Sequence, residues 1–462
     1  MVTIPAEIED RVKKYENEGI KMVKFGISTI DGVLTGKYLS LEKFKKVAAS
    51  TGNYCDVVLG WDVMDRCYES PELFTGWHTG FPDGKYTLDL NTERRLKDEN
   101  NMPFFMGNFV TNDGHDLHPI CPRALLKRVI AKASEMGYFL KTGYEYEFFV
   151  FNETPKTVRE KDYKNLDYLT RDSFGYSIMR ASVLSDLFNS FIEYLAGLHV
   201  PLESVHCETG PGAWEAAIKY DKSLESADKA MIFKTFTKVF LEKRNLMATF
   251  MAKCSMEEMG AGCHVHESLF DTSNGKPIFH DESAPNKMSK TMRHFLAGQL
   301  KYIKPFLAMY APTINSYTRL VKGAWAPVYP TWGLDNRTVA IRVVPGSKDS
   351  MHLEHRIPGA DTNPYLVGAA LIASGMLGIQ QELELGDEVA GNAYDVGDQF
   401  SDEQRFPTNL KDSYRNLEKS KEAKEWFGDE FVNHFVQTRE WEVNAYEREI
   451  NDWQMKRYFE II

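Results

Sequence analysis

Charge appears in this chain where a core strand would be apolar. In Gly143-Tyr-Glu-Tyr-Glu-Phe-Phe-Val-Phe151, Glu145 and Glu147 stand two apart among aromatic and branched neighbours. A strand points both acids to one face and the aromatics to the other. Adjacent carboxylates repel and raise each other's pKa, and a divalent cation removes that penalty. Alone, the pair fits a solvated strand face equally well. Cys207-Glu-Thr-Gly-Pro-Gly-Ala-Trp-Glu215 repeats the theme, with Glu208 and Glu215 on strands flanking a Gly-Pro-Gly turn. Alone, it reads more simply as an exposed hairpin.

Two further stretches alternate polar groups at strand spacing. His264, His266 and Ser268 share a face in Gly260–Leu269, and His352, Glu354 and Arg356 share one in His352–Ile357. Two imidazoles so spaced suit a metal or a phosphate oxygen. The second stretch alone would be an exposed ion-pair strand. Together the four segments bring five carboxylates and one or two imidazoles to strand faces in one domain. Such an oxygen-rich set suits Mg²⁺ or Mn²⁺ rather than zinc. No G-x-x-x-x-G-K-[ST] loop occurs, which excludes a P-loop nucleotide site. Arg342 lies within an apolar strand and needs an anionic partner, phosphate or carboxylate. Arg337 has the opposite parity at that strand's start, where a turn-capping role is the simpler reading.

The elements that must position these groups fall into two parts. Residues 1–113 read as short strands with few helices: a charged first helix around Glu7–Glu16, a strand over Lys21–Ile27 and a short helix capped by Ser40. A loop at Thr111–Asp116 marks the border. Residues 117–462 alternate strands with longer helices, one opening at Pro122 and ending at Gly137. Others run over about Val183–Leu198, Ala227–Leu241 and Met292–Met309, and the region from Asp402 is helical and charged. At 462 residues and 43% apolar content the chain can bury a large core. A net charge of -11 disfavours nucleic acid and anionic membranes. The six cysteines form no C-x-x-C pair, and no apolar run spans a bilayer. The opening segment lacks the pattern of a signal peptide. A soluble cytoplasmic protein is expected.

The order and spacing of these motifs, with Asn315–Arg319, Asn336–Arg342 and Asn363-Pro-Tyr365, resemble the glutamine synthetase superfamily over nearly the whole chain. The resemblance implies an α+β fold: an N-terminal β-grasp domain and a large catalytic domain with a curved antiparallel sheet flanked by helices. It implies a homo-oligomer of two stacked hexameric rings, a dodecamer, with active sites between subunits. Glu147, Glu208 and Glu215 resemble the ligands of one metal ion, and Glu145, His264 and Glu354 those of a second, so that two or more Mg²⁺ or Mn²⁺ serve each site. Tyr220, His266, Ser268, Arg342 and His352 resemble the ATP-binding positions, although His352 replaces a customary arginine. Gly260, His264, Arg319 and Arg356 resemble glutamate-binding positions, and Arg337 the arginine that stabilises the transferring phosphoryl group. The implied reaction is phosphorylation of the γ-carboxylate of glutamate by ATP, followed by attack of an amine.

One departure bears on the amine. Ammonia-using members carry a glutamate where this chain has Trp325, in Arg319-Leu-Val-Lys-Gly-Ala-Trp-Ala-Pro327. Tryptophan cannot neutralise ammonium but offers a flat apolar wall. That favours an organic amine: a polyamine, an alkylamine or an aromatic amine. Trp61, Asp62, Asp65 and Trp77 lie where a neighbouring subunit would reach the amine pocket, and either aspartate suits the amine's general base. An ammonia-using glutamine synthetase is the alternative, and a catalytically silent structural paralogue a remote one.

Overall fold

The computed structural model describes residues 4–401 and 404–462. Two sheets organise the chain. The first is built from β1 (Met22–Ser28), β2 (Leu34–Ser40), β3 (Gly52–Cys55), β4 (Asp83–Leu88), β5 (Arg94–Leu96) and β6 (Met102–Phe109). Its order is β2-β1-β6-β4-β3, with β5 also pairing β6. β1 and β6 run parallel, and the other pairs are antiparallel. Ser40 caps the helix Leu41–Ala48 by accepting from the Lys43 N–H at 3.2 Å. That helix buries Phe44 and Val47, and Phe44 stacks on Phe105 at 5.3 Å. A helix laid on such a sheet is the β-grasp arrangement.

The second sheet carries the chemistry. Its strands are β7 (Tyr138–Phe151), β8 (Leu202–Cys207), β9 (Ala213–Ile218), β10 (Asp221–Lys222), β11 (Met247–Thr249), β12 (Cys263–Asp271), β13 (Trp332–Leu334), β14 (Ile341–Val344) and β15 (His352–His355). The order is β13-β14-β15-β12-β7-β9-β8, and β10 and β11 also pair β7. The alternation read from the sequence places Tyr144, Tyr146 and Phe148 in the core behind β7. Tyr146 and Phe148 pack on Phe233 of the helix Ser223–Glu242 at 5.5 and 5.9 Å. Each such buried ring is worth roughly 1.5–3 kcal/mol, so slipping β7 by one residue would bury acids and expose aromatics.

The two parts are pinned together. Asn363 caps the helix Pro364–Gln380 by accepting from Tyr365 N–H at 3.0 Å. Its amide donates to Thr29 O and Ile30 O at 3.0 and 3.1 Å. Buried Arg123 forks onto Asp228 with both bonds at 2.8 Å and reaches Asp89 of the first part.

Several expected boundaries shift. The helix expected over about Val183–Leu198 runs over Ser185–Gly197, and a second, unexpected helix, Ile178–Val183, precedes it across Leu184 at ψ 17. Glu208 is not on a strand: β8 ends at Cys207, and Glu208 opens the turn whose Gly210 and Gly212 take φ +129 and +63. Arg337 does not start β14 but lies exposed in the loop before it. The Asn336 side chain accepts from Thr338 N–H at 2.9 Å, a local turn that delays the strand. Asp402, the expected start of the C-terminal helical region, lies outside the described residues, as do the first three residues of the opening segment. Beyond it run the helices Leu410–Lys419, Lys421–Phe427, Asp429–Glu447 and Asp452–Tyr458. All six cysteines are free. No helix among the described residues is long and apolar enough to cross a membrane.

Candidate active site

Strand register lays a continuous band of charge across the second sheet. Glu145 on β7 faces His264 on β12, and Glu147 faces Glu215 on β9. His206 on β8 pairs with Glu215. On the other side, His266 pairs with Glu354 on β15, and Glu354 with Arg342 on β14. The sequence-derived acids and imidazoles therefore meet, and His206 joins them. A single histidine beside Cys207 gave no signal of this in the sequence; only the β8–β9 register does.

The contacts are close. His264 Nδ1 lies 3.3 Å from Glu145 Oε1 and 3.5 Å from Glu354 Oε1. Arg342 Nη1 and Arg356 Nη1 donate to the two oxygens of Glu354 at 2.8 and 2.5 Å. Arg342 thus finds its anion within the chain, with Asp335 as a second partner at 3.0 Å. His206 Nε2 lies 3.0 Å from Glu208 and 3.5 Å from Glu215. Glu147 Oε2 accepts from the Gly262 N–H.

Electrostatics separate the acids. Burial would raise Glu354, but Arg356, His264, His266 and Arg342 hold it at about 2. Burial also opposes ionisation of Glu145, yet the His264 and His266 imidazoles at 3.3 and 3.7 Å keep it well below the usual carboxylate range. Glu215 goes the other way. Burial, then the charges of Glu145, Glu147, Glu208 and Glu354, push it up to about 10. The protein alone leaves this cluster with more negative charge than it can hold ionised.

Among the described residues, three triads place donor atoms within 4.8 Å of one another: Glu145–His266–Glu354, Glu145–Glu215–His264 and His206–Glu208–Glu215. Buried His266 Nε2 has no hydrogen-bond partner. Mostly oxygen donors with imidazole at the edges fit Mg²⁺ or Mn²⁺. The resemblance groups Glu147 with Glu208 and Glu215; the register sets Glu147 across from Glu215, its Oε2 accepts from Gly262 N–H, and His206 stands beside Glu208 and Glu215.

Beside the acids, Arg319 is buried and donates to Ile357 O at 2.9 Å and Arg356 O at 3.2 Å. Two glycines make room for it. A Cβ on Gly260 would sit 2.7 Å from Arg319 Cγ; one on Gly262 would sit 2.7 Å from Arg319 Nη2 and 2.9 Å from His264 Nε2. The resemblance marks Gly260, whereas the role of Gly262 shows only in the structure.

A cleft of about 480 Å³ opens from the band, lined by Tyr220, His266, Ser268 and His352 with Glu145 among them. His266 Nδ1 and His352 Nε2 are 3.0 Å apart. Arg342 does not line this cleft. At the other end, Tyr176 stacks on His206 at 4.3 Å and 15°. Partial burial, then the charges of Glu208, Glu215 and Glu145, push its phenol up against the pull of Arg337. Tyr176 sits in an irregular loop that no periodicity marks.

The remaining residues stand elsewhere in the chain. Trp325 is 58% exposed at φ 54 on the loop Leu320–Thr331, which contains no Asp or Glu. Asp62 Oδ1 accepts from Met64 and Arg66 N–H, both at 2.8 Å, and so fixes its own turn. Asp65 is exposed in that turn at φ 59. Trp61 bridges to Cys67, and exposed Trp77 meets Phe81 edge-on at 5.4 Å. This segment docks on the helix Asp429–Glu447 through Tyr68–Trp441 and Phe74–His434 contacts. Among the described residues, none of these hydrogen bonds, bridges and ring contacts joins it to the acidic band of its own chain.

A sheet presenting clustered acids, imidazoles and arginines beside a cleft is suited to hold divalent cations and phosphate. Residues 119–458 match the family of the glutamine synthetase catalytic domain, and the chain belongs to that family. It is 44% identical over 441 residues to type-1 glutamine synthetase 2 of Dictyostelium discoideum, covering 95% of this chain and 84% of that one. It is 35% identical over 448 residues to a glutamate–isopropylamine ligase of a Pseudomonas species, covering 97% and 96%. A solved structure of GmaS in complex with ADP superposes with a TM-score of 0.83 at 25% identity, covering 99% of this chain and 100% of that one. The mixed α/β fold with its curled, helix-flanked sheet is that of these enzymes.

Proposed function

We propose that this protein joins an organic amine to the γ-carboxylate of L-glutamate at the expense of ATP, through a γ-glutamyl phosphate. The observation that carries the choice of amine is Trp325, a large exposed ring on a loop without any acid. An ammonium ion needs a carboxylate there; an alkyl or aryl group needs an apolar wall. The likeness to a glutamate–isopropylamine ligase supports the same reading.

In this account Arg319 and Arg356 bind glutamate, with Gly260 and Gly262 leaving space for its approach. Tyr220, Ser268, His266 and His352 hold the nucleotide in the cleft. Divalent cations, held by Glu145, His264 and Glu354 and by Glu147, Glu208 and Glu215 with His206 beside them, would offset charge on the phosphates. Arg337, on its exposed loop near Tyr176, closes on the transferring phosphoryl group. Arg342 positions Glu354. Attack of the amine on the acyl carbon expels phosphate, and exclusion of water preserves the acyl phosphate until then. Asp62 or Asp65 of an adjacent subunit takes the amine's proton, with Trp61 and Trp77 beside it, in an assembly of two stacked hexameric rings. The small domain is residues 1–113 and the catalytic domain residues 117–462.

The 44% identity to a protein named a glutamine synthetase favours a second reading, with ammonia as the amine. Phosphate release with glutamate, ATP, Mg²⁺ and either ammonia or isopropylamine separates the two. The proposal expects the organic amine to give the higher kcat/KM; ammonia outperforming every organic amine tried would reject it.

A further inference from the structure

Lys141 lines the cleft and has no role in the chemistry proposed for it so far. We propose that Lys141 binds the purine base of the nucleotide, an assignment that rests on the ATP-dependent ligase reading. Lys141 shares the chemical face of β7 with Gly143, Glu145 and Glu147, by the two-residue period of a strand. It lies directly across from Ser268 on β12. Four residues at about 3.3 Å each place it roughly 13 Å along the strand from Glu145. The triphosphate belongs at the Glu145 end, where the cation-binding acids are, so Lys141 stands at the end left for the base.

Its surroundings suit that task. Lys141 Nζ lies 4.7 Å over the Phe270 ring and 5.9 Å from the centre of the Tyr220 ring. Tyr220 is 54% exposed and offers a face for stacking. Gly143 keeps the approach open, since a Cβ there would already lie 3.3 Å from Tyr220 Cβ. Of the residues lining the cleft, Lys141 is the only lysine or arginine. Arg342, the other candidate cation, is committed to Glu354 and Asp335. An ammonium beside a stacked purine donates to the ring-nitrogen acceptors at the base edge, a charge-assisted bond in a partly desolvated cleft. Glu203 and Asp349 on the same rim supply acceptors for an exocyclic amine.

The test is calorimetric binding of ADP to the full-length protein with Mg²⁺, for wild type, Lys141→Met and Lys141→Arg. Lys141→Met is expected to raise the Kd for ADP roughly tenfold, and Lys141→Arg to raise it less. At saturating ATP, kcat and the KM for glutamate stay within about twofold of wild type, which a misfolded variant would not show. Inhibition by inorganic triphosphate, which has no base, should be equal in wild type and Lys141→Met. Unchanged ADP affinity in Lys141→Met would overturn the assignment, and so would triphosphate losing as much affinity as ADP. A wild-type protein that binds neither ADP nor ATP would instead defeat the ligase reading itself.

Discussion

Replacing Gly262 with alanine tests how tightly the glutamate end of the site is built. The added Cβ would lie 2.7 Å from Arg319 Nη2, 2.9 Å from His264 Nε2 and 3.3 Å from Glu147 Oε2. The first distance falls about 0.7 Å short of ordinary contact. Arg319 cannot swing aside freely, because Ile357 O and Arg356 O hold its two terminal nitrogens. Displacing a positioning group by most of an ångström costs on the order of 100-fold in rate, about 2.7 kcal/mol. Gly386→Ala is the control, since nothing lies within 4 Å of its Cβ. Glutamate-dependent phosphate release, with the best amine, should show kcat/KM for glutamate falling about 100-fold in Gly262→Ala and unchanged in Gly386→Ala. Gly262→Ala that folds and retains kcat/KM within threefold of wild type would refute this reading of the site.

Three other outcomes follow from the geometry. The pKa of Glu215 is raised from 4.5 to about 10 in the folded protein. The folded chain therefore keeps a proton that the unfolded chain loses above about 4.5, so this group lowers stability as pH rises from there toward about 10. Near pH 7.5 the metal-free cluster retains that proton, so Mn²⁺ binding releases close to one. Calorimetry in buffers of different ionisation enthalpy measures it; Glu215→Gln should release none, and a wild-type value near zero counts against the acid cluster. Glu147→Gln should lose metal-dependent turnover by about 100-fold or more while eluting at the wild-type size; normal turnover would remove Glu147 from the site. Trp325→Glu should raise the ratio of kcat/KM for ammonia over isopropylamine by roughly tenfold, and an unchanged ratio would reject the role given to that ring.

Much of this was legible in the chain because strand periodicity carries it. Glu145 and Glu147 alternate with Tyr144, Tyr146 and Phe148, and burial of those aromatics fixes which way the acids point. Arg342 announced itself as a guanidinium in an apolar strand, and its partner proved to be Glu354. Other groups depend on register and loop path, which local sequence does not encode. His206 enters the cluster only because β8 pairs with β9 in one register. Tyr176 reaches it from a loop, stacked on that same histidine. Gly262 matters for the side chains of Arg319 and Glu147, which are distant in sequence. Periodicity alone puts Arg337 at the start of a strand, because the Asn336 turn that holds it out of β14 depends on a side-chain bond.

The central claim is that ATP activates the γ-carboxylate of glutamate in this site. Glutamate labelled with ¹⁸O in that carboxylate, incubated with ATP, Mg²⁺ and the best amine, tests it directly. The phosphate released should carry one labelled oxygen for each amide formed, as read by mass spectrometry. Amide formation with unlabelled phosphate would contradict it.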